Sequence, residues 1–508
     1  MRLQVFPKNL SLPLDELYDR TETSGYHING LYQDIKFYTQ NNETKVIVSG
    51  NSSSYAEVLR SLNFHLKMMR KDMMHNTDAF SYSAIKTLAS IRTRRALWEK
   101  DNDFFSQLRN ASNVSILSLS WPEWPRSWPL SGSHDSLSNV YHTWSVTDRV
   151  CSLVDRRFTK TCQQHTNVTS SLLTSSIMMS QLNLLGGDVK ETRDAFIVVT
   201  GNAWINQRGY VRTRDVDLVP NSCKMGRTFR LSSATLARLS RDRIACEEEV
   251  FVISQFWGYG FFHFSAEDIP RIAPYLEFLW SQPQIKIHVI RATDFVKNFF
   301  RILNLEMSRV ITGDVCAKIV YSPQGGNCGN ILQPHGQILS HIALNYTHTH
   351  VKAASKSERN LFILIKRSGR RKIRNFNSVI NALKPIAAQN GLVFKIYDDH
   401  PVPKLSATLR LFHNAAIVVA PHGAGLSNML FSHAGLYVIE VLCADGPGPN
   451  LCYANMAHTL GHYYHGMAAT SGCNDGMYVD TGYLKEATMY YLRHYKTRKI
   501  LETNLDNQ

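Results

Sequence analysis

A chain of 508 residues, 44% of them hydrophobic and 19% charged, can bury large cores, and its length predicts two or three globular domains rather than one. Its 56 lysines and arginines against 41 aspartates and glutamates give a formal charge of +15, which concentrates anions such as nucleotides or acidic glycans around the molecule. The basic residues are scattered, with no zinc-finger spacing, RNA-recognition motif or basic-zipper pattern, so nucleic acid is not an expected partner.

The amino terminus, Met1-Arg2-Leu3-Gln4-Val5-Phe6-Pro7, has no apolar run long enough for a signal peptide or membrane anchor, and none appears later. The sequence is expected either to be cytosolic or to lack an amino-terminal exon or anchor, and the second is favoured. Seven Asn-x-Ser/Thr sequons, at Asn9, Asn42, Asn51, Asn110, Asn113, Asn167 and Asn345, crowd towards the first third and lean towards a lumenal protein. Six of the nine cysteines are near neighbours, Cys151 with Cys162, Cys316 with Cys328, and Cys443 with Cys452. These spacings are too wide for Cys-x-x-Cys chemistry, yet each pair could close a short disulfide loop in an oxidising compartment; buried free thiols are the alternative.

Along the chain, Tyr55, Val58, Leu59, Leu62, Leu66, Met69 and Met73 recur at three and four, predicting an amphipathic helix with a core-facing stripe. The prolines of Trp121-Pro122-Glu123-Trp124-Pro125-Arg126-Ser127-Trp128-Pro129 forbid a helix. With the Ser/Thr-rich stretch 166–180, that connector separates an N-terminal extension, residues 1–180, from the remainder of the chain. Short β-branched runs then alternate with helical segments, the pattern of parallel α/β layers. The first set, residues 181–350, has strands at 196–199, 250–253 and 285–290 and helices at 269–280 and 293–303, with a glycine-rich join at 323–330. The second, residues 351–508, reads strand 361–365, helix 378–389, strand 392–397, helix 405–413, strand 416–420, a glycine loop with a short helix, and strand 437–441. A doubly wound unit of this kind binds ligands at the carboxyl ends of its strands.

Three clusters carry candidate chemistry. The loop His422-Gly423-Ala424-Gly425 follows an apolar strand and opens a helix; its glycines allow close backbone approach, and the helix start offers N–H donors to a phosphate. At the end of strand 361–365 stands Lys366-Arg367-Ser368-Gly369-Arg370-Arg371-Lys372, whose arginines can pair bidentately with phosphate oxygens and stabilise a departing diphosphate. Glu440 ends the next strand, where a carboxylate can accept from ribose hydroxyls. The third cluster runs from Trp257 to Arg271 and supplies His263, Glu267 and Asp268 as candidate bases for an acceptor hydroxyl. A helix start would use the same carboxylates for capping.

Taken together, these segments resemble glycosyltransferase family 61, which includes plant xylan transferases and animal O-linked N-acetylglucosaminyltransferases of the secretory pathway. The likeness is carried by Gly201-Asn202-Ala203-Trp204-Ile205-Asn206 with Gly209, by His263-Phe264-Ser265-Ala266-Glu267-Asp268-Ile269-Pro270-Arg271, by the run Ile365 through Asn375, and by Val419-Ala420-Pro421-His422-Gly423-Ala424-Gly425-Leu426-Ser427-Asn428. The resemblance implies a GT-B fold, that is, two Rossmann-like doubly wound domains facing a cleft. It also implies inversion at the anomeric carbon, a nucleotide-sugar donor, commonly a uridine diphosphate (UDP) sugar, and no essential metal or other cofactor. By position, Glu267 would be the base, with Asp268 or His263 in its stead; Arg367 and Arg371 would face the diphosphate, and His422, Gly423, Ala424 and Gly425 would line the donor pocket. The family's base is usually aspartate, which leaves Glu267 and Asp268 both open, and Lys366 stands where a small hydroxyl residue is usual. The acceptor would be a glycoprotein or polysaccharide, the sugar N-acetylglucosamine or xylose, and the location the Golgi or endoplasmic reticulum.

Two other readings stay open. A metal-dependent GT-A transferase would use Asp215-Val216-Asp217, since paired carboxylates can hold a divalent ion against diphosphate oxygens. Alternatively, a catalytically silent protein would keep the fold and bind glycans or nucleotides.

Overall fold

The computed structural model describes residues 35–40, 43–48, 55–76, 82–90, 96–98, 107–108, 111, 114–120, 194–219, 229–241, 243–325, 328–329, 331–351, 359–443 and 452–506. The Trp/Pro connector, the Ser/Thr-rich stretch, Cys151, Cys162 and every sequon except Asn345 lie outside them.

Strands β1 (Ile35–Gln40) and β2 (Glu43–Val48) form an antiparallel ribbon. Helix α1 (Tyr55–Asn76) follows, covering the predicted span, then α2 (Tyr82–Ser90), β3 (Ala96–Trp98) and β4 (Val114–Ser120). The first α/β set supplies β5 (Asp194–Ile205), β6 (Val211–Arg212), β7 (Asp217–Val219), α3 (Ser233–Ser240), β8 (Glu247–Val252), β9 (Lys286–His288), α4 (Asp294–Ile302), β10 (Val310–Ile311) and β11 (Val315–Pro323). Its sheet runs β10-β9-β8-β11-β5-β6-β7-β3, with β4 also on β5. Only β10, β9, β8 and β11 make the expected parallel array; β5 is antiparallel to β11, β4 and β6. The sheet is therefore mixed rather than doubly wound, a correction that stems from long-range pairing which local periodicity does not encode.

The same pairing revises the separate extension. β3 and β4 are strands of this sheet, and α1 is fixed to it by Arg70, whose guanidinium grips buried Glu249 of β8 at 2.7 and 2.6 Å while Tyr321 donates to the same carboxylate at 2.8 Å.

Helix α5 (Gln333–Tyr346) leads to the second set: β12 (Leu361–Lys366), α6 (Phe376–Gln389), β13 (Val393–Asp398), α7 (Leu405–His413), β14 (Ala415–Pro421), a 3-10 segment Ala424–Phe431, β15 (Tyr437–Leu442), α8 (Cys452–Thr459), β16 (Tyr463–Ala468), the hairpin β17 (Ser471–Cys473) and β18 (Gly476–Tyr478), and α9 (Thr481–Asp506). The five strands β13-β12-β14-β15-β16 are all parallel; the first four lie where the sequence predicted strands, and β16 is an addition to them. Counted from the first strand of the sheet this is the order 2-1-3-4-5, whose direction reverses between β12 and β14; ligands of such sheets sit outside the strand ends at that reversal.

Side-chain alternation divides the cores. Phe362, Leu364, Ile417, Val419 and Ile439 face one way, onto α6 and α9. Ile363, Ile365, Val418 and Ala420 face the other and share a single apolar core with Ile338, Leu339 and Ile342 of α5 and with Ile197, Val199, Phe251 and Ile319 of the first sheet. Among the described residues no helix is long and apolar enough to cross a membrane.

The disulfides differ from the neighbour pairs. Cys316 bonds to Cys246 and Cys443 to Cys473; Cys328 is disulfide-bonded, and Cys452 is a buried thiol. Strand register, not chain distance, chooses the first partner: Ala317 lies opposite Glu247, which puts the preceding cysteines side by side.

Candidate active site

The basic bend and the glycine bend meet. Arg367 leaves the end of β12 and its Nη1 donates to the His422 carbonyl at 2.7 Å, beyond the end of β14, at the point where strand order reverses. Gly423 makes the crossing possible: a Cβ there would stand 1.4 Å from that Nη1. Burial first, and the neighbouring charge of Arg371 second, pull the Arg367 pKa below its ordinary value, with Asp399 opposing. The Nε atoms of Arg367 and Arg371 are buried and make no hydrogen bond among the described residues; the Asp399 carboxylate stands 3.8 Å from the first. Two cations half-withdrawn from water with unused donors suit an anion, because an anion both satisfies the donors and relieves their repulsion.

His422 is held from behind. Its Nδ1 lies 2.5 Å from Glu440 Oε1, and the Tyr464 hydroxyl donates to Oε2 at 2.5 Å. Glu440 is fully buried, so the ribose-contacting role read from the sequence is corrected: both oxygens are engaged inside the sheet, and the carboxylate orients His422 instead. Gly425 packs on Ile365, and Ala424 opens the 3-10 segment. Thus Arg367, Arg371, His422, Gly423, Ala424 and Gly425 gather at one sheet edge, with Glu440 beneath.

The third cluster follows β8. Trp257, Gly258, Tyr259 and Gly260 form a turn, and Phe264–Asp268 is a single π-helical turn, a distortion common at functional sites. Glu267 is enclosed: its Oε1 accepts from His263 Nδ1 at 2.9 Å and from the Gly329 N–H at 2.7 Å, and its Oε2 accepts from the Gln255 amide. The side chain of Glu267 is 2% exposed against 28% for His263. The arrangement is a buried carboxylate orienting a partly exposed imidazole; such a pair can take a proton from a hydroxyl. Asp268 points elsewhere, packed so closely on Gly258 that a Cβ there would lie 1.9 Å from its Oδ2. Burial pushes its carboxyl well above the usual range, against the pull of Arg271.

Tyr453, which the sequence did not single out, joins the two halves. Its ring meets Phe262 at 4.9 Å and His422 at 5.1 Å between centroids, and its neighbour Cys452 lies in the fields of both Glu440 and Glu267. No pattern in the chain marks it, because its importance is where α8 lands.

The Asp215 and Asp217 alternative is corrected. Asp217 is buried in a two-pronged pair with Arg212, 2.7 Å at each oxygen, so its lone pairs serve the β6–β7 turn rather than a metal. The Gly201–Asn206 segment is likewise structural: Asn206 Oδ1 accepts from the Arg208 and Tyr210 N–H groups, and Gly209, at φ +79°, presses against Ser254.

Residues 261–439 match the family model described as Glycosyltransferase 61. Curated relatives include the EGF domain-specific O-linked N-acetylglucosamine transferase of Gallus gallus, 35% identical over 104 residues, and its namesake in Rattus norvegicus, 34% identical over 105. Each alignment covers 20% of this chain, which thus spans 18% of the length of these relatives. His263, Glu267, Arg367, Arg371 and the His422–Gly425 bend all lie inside the matched segment, so the resemblance read from those motifs is matched over residues 261–439 by the Glycosyltransferase 61 model.

Proposed function

We propose that the chain is an inverting glycosyltransferase that moves a sugar from a UDP-sugar to a hydroxyl of a glycoprotein acceptor. The observation that carries this reading is the pair of half-buried arginines with unused donors at the strand-order reversal, laid over a glycine bend. There Arg367 and Arg371 hold the diphosphate and offset the charge that grows on it as it leaves, a task that a divalent ion performs in other designs, so no metal is required. His263, oriented by Glu267, removes the acceptor proton as the oxygen attacks the anomeric carbon opposite the leaving group; in this refinement Glu267 acts through His263, and Asp268 does not act. N-acetylglucosamine is the favoured sugar over xylose because the matched relatives are named for it.

On this reading the molecule is a GT-B-type pair of sheets, 181–350 on the acceptor side and 351–508 on the donor side, with 1–180 contributing β3 and β4 to the first. The Cys246–Cys316 and Cys443–Cys473 bonds fit an oxidising lumen of the secretory pathway.

The experiment is kinetic. With UDP-N-acetylglucosamine as donor, His263→Ala and Glu267→Gln should each lower turnover at least about hundredfold while UDP binding persists. Arg367→Ala should weaken UDP binding by about tenfold or more. Full activity in all three variants would end this assignment, and UDP binding with neither transfer nor donor hydrolysis in the unaltered protein would favour a silent binding protein.

A further inference from the structure

The donor-side bend has no regular structure of its own between β12 and α6, and Arg371 at its apex has φ +61°, a left-handed conformation uncommon for a residue with a side chain. Such a conformation persists only where the surroundings over-determine it. Among the described residues, the hairpin β17–β18 and the adjoining Val479 supply backbone bonds to residues 371–375. The Arg371 N–H donates to the Asn474 carbonyl at 3.1 Å, Met477 N–H donates to the Lys372 carbonyl at 2.7 Å, and Arg374 N–H donates to the Met477 carbonyl at 2.8 Å. Ile373 bridges Met477 in parallel, and the Asn375 amide brackets Val479, donating at 2.8 Å and accepting at 3.0 Å. Gly476, at φ +124°, stands close to the bend: a Cβ there would lie 2.9 Å from the Arg374 side chain.

The hairpin is in turn tied to the sheet by Cys443–Cys473, which joins β17 to the residue just past β15, on the same edge as His422. The family match ends at residue 439, so the hairpin and both cysteines lie beyond it.

We infer that this disulfide-tied hairpin is a positioning element for donor binding: it sets the backbone of the basic bend so that Arg371 stands beside Arg367, and opening Cys443–Cys473 lowers affinity for the nucleoside diphosphate. The inference rests on the donor-site reading above. The hairpin contacts residues 371–375 of the bend, so it acts on binding through them and leaves the acceptor-side pair of His263 and Glu267 untouched.

The test is a calorimetric titration of UDP into the full chain, with thermal melts as a control on folding. Cys443→Ser/Cys473→Ser should weaken UDP by about tenfold, the scale on which charge-assisted contacts are lost, and raise donor KM more than it lowers kcat. Cys246→Ser/Cys316→Ser, which opens the bond in the first sheet, should leave UDP affinity unchanged. Gly476→Ala, which pushes hairpin and bend apart without touching a cysteine, should reproduce the loss and serves if the double serine variant does not fold. Unchanged UDP affinity in the Cys443/Cys473 and Gly476 variants, or an equal loss in the Cys246/Cys316 control, would overturn the inference while the donor site stands. Absence of UDP binding in the unaltered chain would overturn both.

Discussion

Glu267 and Asp268 are adjacent in sequence and opposite in circumstance. Three donors converge on the first, whereas the second is packed against the Gly258 backbone with its carboxyl pushed well above the usual 3.8 by burial. For a group whose pKa is raised on folding, the native state binds more protons than the unfolded chain between the two pKa values, so stability falls as pH rises through that window. Asp268→Asn should therefore raise the melting temperature by a few degrees at pH 7. The gain should vanish below about pH 4, where both states are protonated, and turnover should be kept. A variant less stable at pH 7, or inactive when folded, would contradict the assignment. The candidate bases were legible from the residue types that such chemistry needs, but not their ranking. Nor was the place of Glu440 legible, because one side chain in a fully buried strand carries no mark of what it faces.

At the scale of elements, four strands of the parallel half were readable because each is a short apolar run ended by a polar turn, whereas β16, which mixes histidine and glycine with its apolar residues, was not; the helix predicted at 405–413 is found as Leu405–His413. The mixed sheet was not readable. Its pairing of β11 with β5 joins Val315 to Ile205, and β4 enters from 114–120, contacts fixed by tertiary packing rather than by local pattern. The same packing turned an apparent metal motif into a turn. Because Asp217 and Arg212 are buried together, removing the carboxylate breaks a buried ion pair, and Asp217→Ala should lower unfolding stability by roughly 3 kcal/mol, read by denaturant titration. UDP affinity of the folded fraction should not change. A loss of activity restored by added divalent ion would instead revive the metal alternative.

At the scale of the molecule, one apolar core runs from the first sheet through α5 into the second, so the two halves should unfold together and share their pH dependence. His288, His335 and His465 are buried and held neutral, with burial lowering their pKa values to about 4, 3 and 4. For groups depressed on folding, stability is fully present above the unfolded value of 6.5 and is lost as pH falls through the folded values. Melting temperature should therefore drop steeply between about pH 6.5 and pH 4, a loss on the order of a few kcal/mol per histidine; Asp268 has the opposite sign but is one group against three. A flat profile across that window would show that these imidazoles reach water.

The central claim is that the arginine bend and the glycine bend form one diphosphate site, and a double-mutant cycle on UDP affinity tests it most directly. Gly423→Ala places a methyl group where the Arg367 guanidinium lies, so it should act by displacing that arginine. Titrated with UDP, Arg367→Ala and Gly423→Ala should each weaken binding about tenfold, and the double variant should be little worse than either alone. Losses that simply add, or UDP affinity that neither substitution changes, would contradict it.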